Sequence, residues 1–206
     1  MCGLRRRVCA AAAPPSPVQA RYRPRSMAAN PSPGQAQGTP RVLVACFGNA
    51  LRSDDGFGPA VAKLLSQEGV PEHVRVLDVG IGGMQMVHEL AESHELLVVV
   101  DALDLGRAAG TVLVIDPDVG DLMAQPFWAR RAELGDAHHT VPDRALRFAR
   151  AVGVLPARTW LVGCQPDDAE ALGLDLSPAV ERAVPVAAGE VRRLIAEWTE
   201  GAEGRR

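Results

Sequence analysis

Residues 42–58 read Val42-Leu43-Val44-Ala45-Cys46-Phe47-Gly48-Asn49-Ala50-Leu51-Arg52-Ser53-Asp54-Asp55-Gly56-Phe57-Gly58. Six apolar residues run without a polar interruption and stop at Gly48-Asn49, the pattern of a strand buried on both faces. A polar loop follows. Phe57, Val61, Leu64 and Leu65 then recur at helical spacing, with Pro59 in the first turn, where its missing N–H is tolerated.

Working outward, the same alternation continues. Val74 to Asp78 predicts a second strand, Gly80, Gly82 and Gly83 a tight turn, and Met84 to Ala91 a helix. Leu96 to Val100 is the most apolar strand, and it ends at Asp101. Thr111 to Ile115 and Thr159 to Val162 read as a fourth and a fifth strand. Before the fifth, Thr140-Val141-Pro142-Asp143 resembles a capping box, Leu146, Ala149 and Val152 share a face, and Gly153 suits the helix stop. Ser177-Pro178 opens a last helical region with a stripe of Val184, Val191, Leu194 and Trp198, which Pro185 is expected to kink or split. Residues 117–137 carry no clear pattern. Strands alternating with helices predict an α/β sandwich with a mostly parallel sheet.

Composition bounds the function. The chain has 206 residues, enough for one domain with a sizeable core. Aromatic residues are only 4%, so that core is built mainly from Ala, Val and Leu. No apolar run reaches the roughly 20 residues of a membrane span, so no membrane partner is expected. Residues 1–40 hold seven Pro, six Arg and no acid, and are expected to be a disordered basic tail. Arg5-Arg6-Arg7 followed by Val8-Cys9-Ala10 faintly resembles an export signal, but its apolar stretch is cut short by Pro14-Pro15; Met27 is an alternative start. The domain is expected to span 41–199, with 200–206 disordered. Outside the tail, 16 basic side chains face 25 acidic ones, a body of net −9, which argues against nucleic acid as a partner. Cys2, Cys9, Cys46 and Cys164 form no CxxC pair and no disulfide framework, which fits a reducing cytoplasm. A monomer is the default expectation.

In open parallel sheets, ligands bind beyond the carboxyl ends of the strands. Asp54-Asp55, Asp101 and His138-His139 fall there or in loops able to reach there. The loop after the first strand lacks the GxGxxG spacing and the Walker lysine. Its two carboxylates would repel a phosphate, so a cation is the better guest. One acid suffices to cap the following helix, a contribution of about 1 kcal/mol; that role goes to Asp54, which leaves Asp55 for function. Asp101 is alternatively a turn residue, and either histidine a solvated surface residue. Together, Asp55, Asp101 and one histidine would make an O, O, N set suited to a borderline divalent metal. Cys46 and Cys164 lie in or beside apolar strands, where inert burial is the better reading.

Gly48-Asn49-x-Leu51-x-x-Asp54-Asp55-Gly56-x-Gly58 closely resembles the opening motif of the hydrogenase maturation proteases. Leu77-Asp78-x-Gly80-x-x-Gly83-Met84, Val98-Val99-Val100-Asp101-Ala102, Asp136-Ala137-His138, Gly163-Cys164-Gln165-Pro166 and Gly173-Leu174-x-Leu176-Ser177-Pro178-x-Val180 resemble their later blocks. The resemblance covers about Arg41 to Trp198. It implies a three-layer α/β sandwich whose mostly parallel, twisted sheet has five strands. It implies an endopeptidase of aspartic or nickel-dependent type that removes the C-terminal extension of a nickel-iron hydrogenase large-subunit precursor after nickel insertion. It further implies that Asp55, Asp101 and His138 bind nickel supplied by the substrate and act as the catalytic set, His138 being preferred to His139 by its spacing to Pro142 and Leu146. The long basic tail and the His138-His139 doublet depart from the family pattern. Two other readings stay open: a nickel-binding assembly chaperone without peptidase activity, and a metallohydrolase acting on a small molecule.

Overall fold

The computed structural model describes residues 41–124 and 142–203. The expected tail, the histidine segment and residues 204–206 lie outside the described residues. In chain order the elements are β1 (Val42–Phe47), a 3-10 turn (Ser53–Gly56), α1 (Phe57–Glu68), β2 (Val74–Gly80), α2 (Met84–Leu90), β3 (Leu96–Ala102), β4 (Val112–Ile115), a second 3-10 turn (Leu122–Ala124), α3 (Pro142–Ala151), β5 (Arg158–Cys164) and α4 (Pro178–Glu203). The sheet order is β2-β1-β3-β5-β4. The first four strands in that order are parallel, and β4 pairs antiparallel with β5 at the edge. This is the expected α/β architecture with a mostly parallel five-stranded sheet.

β1 and β3 lie inside the sheet, which explains their unbroken apolar runs. Alternate residues feed two cores. Val42, Val44, Cys46, Leu96, Val98 and Val100 meet α1 and α4 through Phe57, Val61, Leu65, Ala187 and Val191. Leu43, Ala45, Phe47, Leu97 and Val99 meet α2 and α3 through Met86, Leu90, Leu146 and Ala149. By the same alternation Asp101, two residues past Val99, points to the α2 and α3 side.

Three details differ from expectation. Pro185 does not split the last helix, which runs unbroken for 26 residues. Pro185 is exposed, so the Glu181 carbonyl it leaves unpaired lies toward solvent, while Ala183, Ala187, Ala188 and Val191 hold the opposite face on the core. The helix also continues to Glu203, past the expected boundary at 199. Val152 does not join Leu146 and Ala149: α3 ends at Ala151, Gly153 takes a φ of +79°, and Val152 is left exposed.

Candidate active site

The connection from β1 through α1 to β2 crosses one face of the sheet. That from β2 through α2 to β3 crosses the other and returns to the far side of β1. β1 and β3 therefore flank the topological switch point, where their following loops diverge and leave a crevice. Both expected carboxylates belong to it. Asp101 ends β3, and Asp55 sits on the 3-10 turn that follows β1 and contacts β3.

Two glycines make the turn after β1 possible. A Cβ on Gly48 would lie 1.9 Å from the Asp55 carbonyl oxygen, and one on Gly58 would lie 1.9 Å from the Phe47 carbonyl oxygen. The Gly48 φ of +132° also disfavours any side chain there. The turn consequently folds tightly over the strand end. Asn49 N–H donates to the Asp55 carboxylate at 3.0 Å and to its carbonyl oxygen at 3.1 Å. On the other flank, a register shift between Cys46 and Phe47 pairs Phe47 with Gly80, whose carbonyl accepts the Gly48 N–H at 3.2 Å.

Asp101 is 5% exposed. Burial first, then the charge of Asp55, push its carboxyl up to about 8, against a hydrogen bond from the Ala102 N–H. Asp55 is half-buried and is also raised, by burial, although Asn49 N–H and the Arg52 charge act in the opposite direction. Asp101 is the more deeply buried of the two and holds its proton at neutral pH, while Asp55 is the readier to ionise.

Asp54 does not cap α1, which has Gly56 at its N-cap position and no side-chain cap. It is fully buried and accepts hydrogen bonds from Asp167 N–H at 2.8 Å, Asp168 N–H at 3.1 Å, Ser177 N–H at 2.6 Å and Ser177 Oγ at 2.9 Å. Burial alone would raise its pKa, but these bonds together hold it below the ordinary carboxylate value. Asp54 thereby fastens the segment after β5 to the turn that carries Asp55. Its adjacency to Asp55 was visible in the sequence; partners more than a hundred residues away were not.

Gln165 is a second residue whose role was not visible in the sequence. Its Oε1 accepts Leu105 N–H at 2.6 Å and Arg107 N–H at 3.1 Å, tying the loop after β3 to the end of β5. Both described cysteines are free and buried. Burial raises the Cys46 thiol, helped by Asp78 and Asp101, and pushes Cys164 up to about 12, helped by Asp54, so neither is a ready thiolate. Ser177 gives its hydroxyl hydrogen to Asp54, a carboxylate already saturated by backbone donors and a poor base. Among the described residues no group of three His, Cys, Asp or Glu side chains is arranged to hold a metal. Asp55 and Asp101 form a pair; His138 and His139 lie outside the described residues. No helix among the described residues is long and apolar enough to cross a membrane.

Fold and site together define an α/β domain with an acidic crevice at its switch point. A family model described as hydrogenase maturation protease (HycI) matches residues 59–194. The chain is 36% identical over 159 residues to the hydrogenase expression/formation protein HupD of Rhodobacter capsulatus, covering 76% of this chain and 72% of that protein. Its fold is similar to that of the hydrogenase maturating endopeptidase HybD from E. coli, with a TM-score of 0.60, 28% identity and coverage of 76% of this chain and 93% of that one. It is also similar to the [NiFe] hydrogenase maturation protease HycI from Thermococcus kodakarensis, with a TM-score of 0.56, 26% identity and coverage of 80% and 95%. The chain belongs to the hydrogenase maturation protease family, whose members are endopeptidases and hence hydrolases.

Proposed function

We propose that this protein removes the C-terminal extension of a nickel-iron hydrogenase large-subunit precursor once nickel is in place, and that Asp55, Asp101 and His138 recognise that nickel as part of the substrate. The observation that carries this reading is the acid pair at the switch point. Asp101 retains a proton because it is buried beside Asp55. A divalent ion between the two would replace that proton and remove the repulsion, so metal recognition and proton release are one event.

The third ligand is a matter of chain reach. α3 precedes β5 and returns across the sheet, which brings its N-terminus to the carboxyl end of the parallel strands. It packs on the face toward which Asp101 points, and its first residue, Pro142, is buried. His138 is four residues earlier, and four residues span at most about 14 Å. One imidazole nitrogen with two carboxylates makes the O, O, N set that suits a borderline divalent ion.

In this reading the substrate's nickel fixes the precursor's position and polarises the scissile carbonyl or a water. Asp55 and Asp101 orient it, the Asn49 N–H holds the Asp55 carboxylate, and the protonated thiols stay out of the reaction. The free Cys46 and Cys164 fit a reducing cytoplasm as the compartment of this reaction.

The test is mass spectrometry of nickel-loaded and nickel-free precursor after incubation with the purified protein. Loss of the extension from the loaded form alone is expected. Equal cleavage of both forms would reject nickel recognition. A stable complex without mass loss would indicate an assembly chaperone, and stoichiometric metal retained by the protein without substrate would indicate a metallohydrolase. D55N, D101N and H138A should each abolish or greatly weaken processing; full activity in all three rejects the site.

A further inference from the structure

The large apolar side chains most exposed among the described residues are concentrated at one end of the molecule. Leu51 (63% exposed), Ile81 (61%), Met84 (57%), Leu172 (85%) and Leu174 (77%) all lie on the segments that follow β1, β2 and β5, at the end of the sheet that carries the acid pair. Among the described residues, only Val152 and Val186 of comparable exposure lie elsewhere. Scattered exposed apolar residues need no explanation, but a concentration around a crevice marks a contact surface.

Three of the five are held as a unit. Arg52 and Gly173 form an isolated parallel bridge, with Ser53 N–H donating to Gly173 O at 2.9 Å and Gly173 N–H to Leu51 O at 3.1 Å. Leu51 and Leu172 each precede a residue of the bridged pair and Leu174 follows Gly173, so the three leucines lie on two segments held side by side. These segments are not loose tips. Asn49 Oδ1 accepts the Leu51 N–H at 3.0 Å, Asp168 Oδ1 accepts the N–H groups of Glu170 and Ala171 at 2.8 and 2.9 Å, and Asp54 anchors both ends of the stretch at Asp167 and Ser177. The leucines are presented outward on an ordered backbone, a preorganised surface.

We propose that Leu51, Leu172 and Leu174 form a substrate-binding rim that takes apolar side chains of the polypeptide flanking the cleaved bond. This rests on the processing reading above. Asp55 N–H donates to Arg52 O at 2.8 Å, so the rim and the acid belong to one turn, and a chain seated on the rim is delivered to the acids. The exposed acids Asp167, Asp168, Glu170 and Asp175 fringe the leucines and disfavour an anionic lipid surface.

The experiment compares the full chain with its L172S/L174S double variant in steady-state cleavage of nickel-loaded precursor, with L51S as a third protein. KM should rise by about tenfold or more, the scale of losing apolar contacts in a specificity site. Turnover should stay within about twofold, because the lost binding is uniform along the reaction. Thermal unfolding should be unchanged, as these side chains are exposed. An unchanged KM overturns the rim, as does a fall in kcat alone, which would mean that the acid turn had been disturbed. Sedimentation of the parent protein as a dimer that the double variant abolishes would assign the leucines to a second copy and also overturn it. If the parent protein leaves the precursor uncut, the processing reading fails; a titration with nickel-loaded precursor then decides the rim, with about tenfold weaker binding by L172S/L174S supporting it and equal binding overturning it.

Discussion

Replacing Asp101 with Asn should make the protein more stable at neutral pH while removing its activity. Asp101 is buried, and its carboxyl is raised to about 8 from the 3.8 of an unperturbed aspartate. A group whose folded pKa is raised binds its proton more tightly in the folded state. The resulting stability is fully present below the unfolded pKa and is lost as pH rises through the folded one. The window therefore runs from about 4 to about 8, and within it each pH unit costs about 1.4 kcal/mol. At pH 7 roughly three units of that window have been crossed, a ceiling of about 4 kcal/mol for the cost of keeping this carboxyl folded. D101N does not titrate, and its amide oxygen can still accept the Ala102 N–H. Rearrangement and water entry reduce the ceiling, so a gain of about 2–4 kcal/mol at pH 7 is expected. The assay is urea denaturation of both proteins from pH 5 to pH 8, taking the difference between the two curves so that other carboxylates cancel. A gap that widens steadily with pH confirms the buried acid. Parallel curves would refute it and, with it, the claim that a cation is needed to ionise Asp101 at neutral pH.

The remaining predictions concern the scaffold around the acid pair. Gly58→Ala should cost more than about 3 kcal/mol or prevent folding, because the added Cβ meets the Phe47 carbonyl at 1.9 Å and backbone, not a flexible side chain, would have to move; an equilibrium unfolding curve matching the parent would disprove the close approach. Asp54→Ala should cost about 1–3 kcal/mol by removing the acceptor of three partly buried N–H donors, and precursor processing should fall with it even though Asp55 is intact. Because the Asp54 pKa is lowered on folding, its contribution is present above the unfolded value near 4 and is lost as pH falls below it; the stability gap between parent and D54A should therefore shrink on acidification, and a gap constant down to pH 3 would count against the clamp. Pro185→Ala should raise stability by about 1–2 kcal/mol, since it restores a helical N–H at an exposed position where no packing depends on the ring; an unchanged or lowered unfolding midpoint would show that α4 is shaped around the proline.

The crevice combines two kinds of acid with opposite electrostatics. Asp54 is buried yet ionised, because three backbone N–H groups and a hydroxyl replace its hydration. Asp101 is buried with a single backbone donor and a neighbouring carboxylate, and keeps its proton. Stability is thus concentrated in the clamp and withheld from Asp101, a buried acid kept at a cost to the fold.

Much of the fold was legible in the sequence because its determinants are local. The continuous apolar runs of β1 and β3 follow from burial on both faces, the 3.6-residue stripes place α1 and α4, and the glycines of the first turn are where backbone must approach backbone. Asp55 and Asp101 were picked out because they end or follow such runs. The resemblance of the glycine and acid blocks to the hydrogenase maturation proteases was likewise a property of the sequence, and the family match agrees with it. Tertiary structure decided what depends on contacts distant along the chain. Asp54 and Asp55 are chemically identical neighbours; only the folding of 167–177 over the first turn gives one of them four hydrogen bonds and leaves the other beside Asp101. Helix α4 survives Pro185 because a core assembled from the whole sheet holds its other face. The exposure of Leu172 and Leu174 is not legible in the sequence; residues 167–177 are held by the bridge of Gly173 to Arg52 and by the hydrogen bonds to Asp54, contacts that no local periodicity encodes.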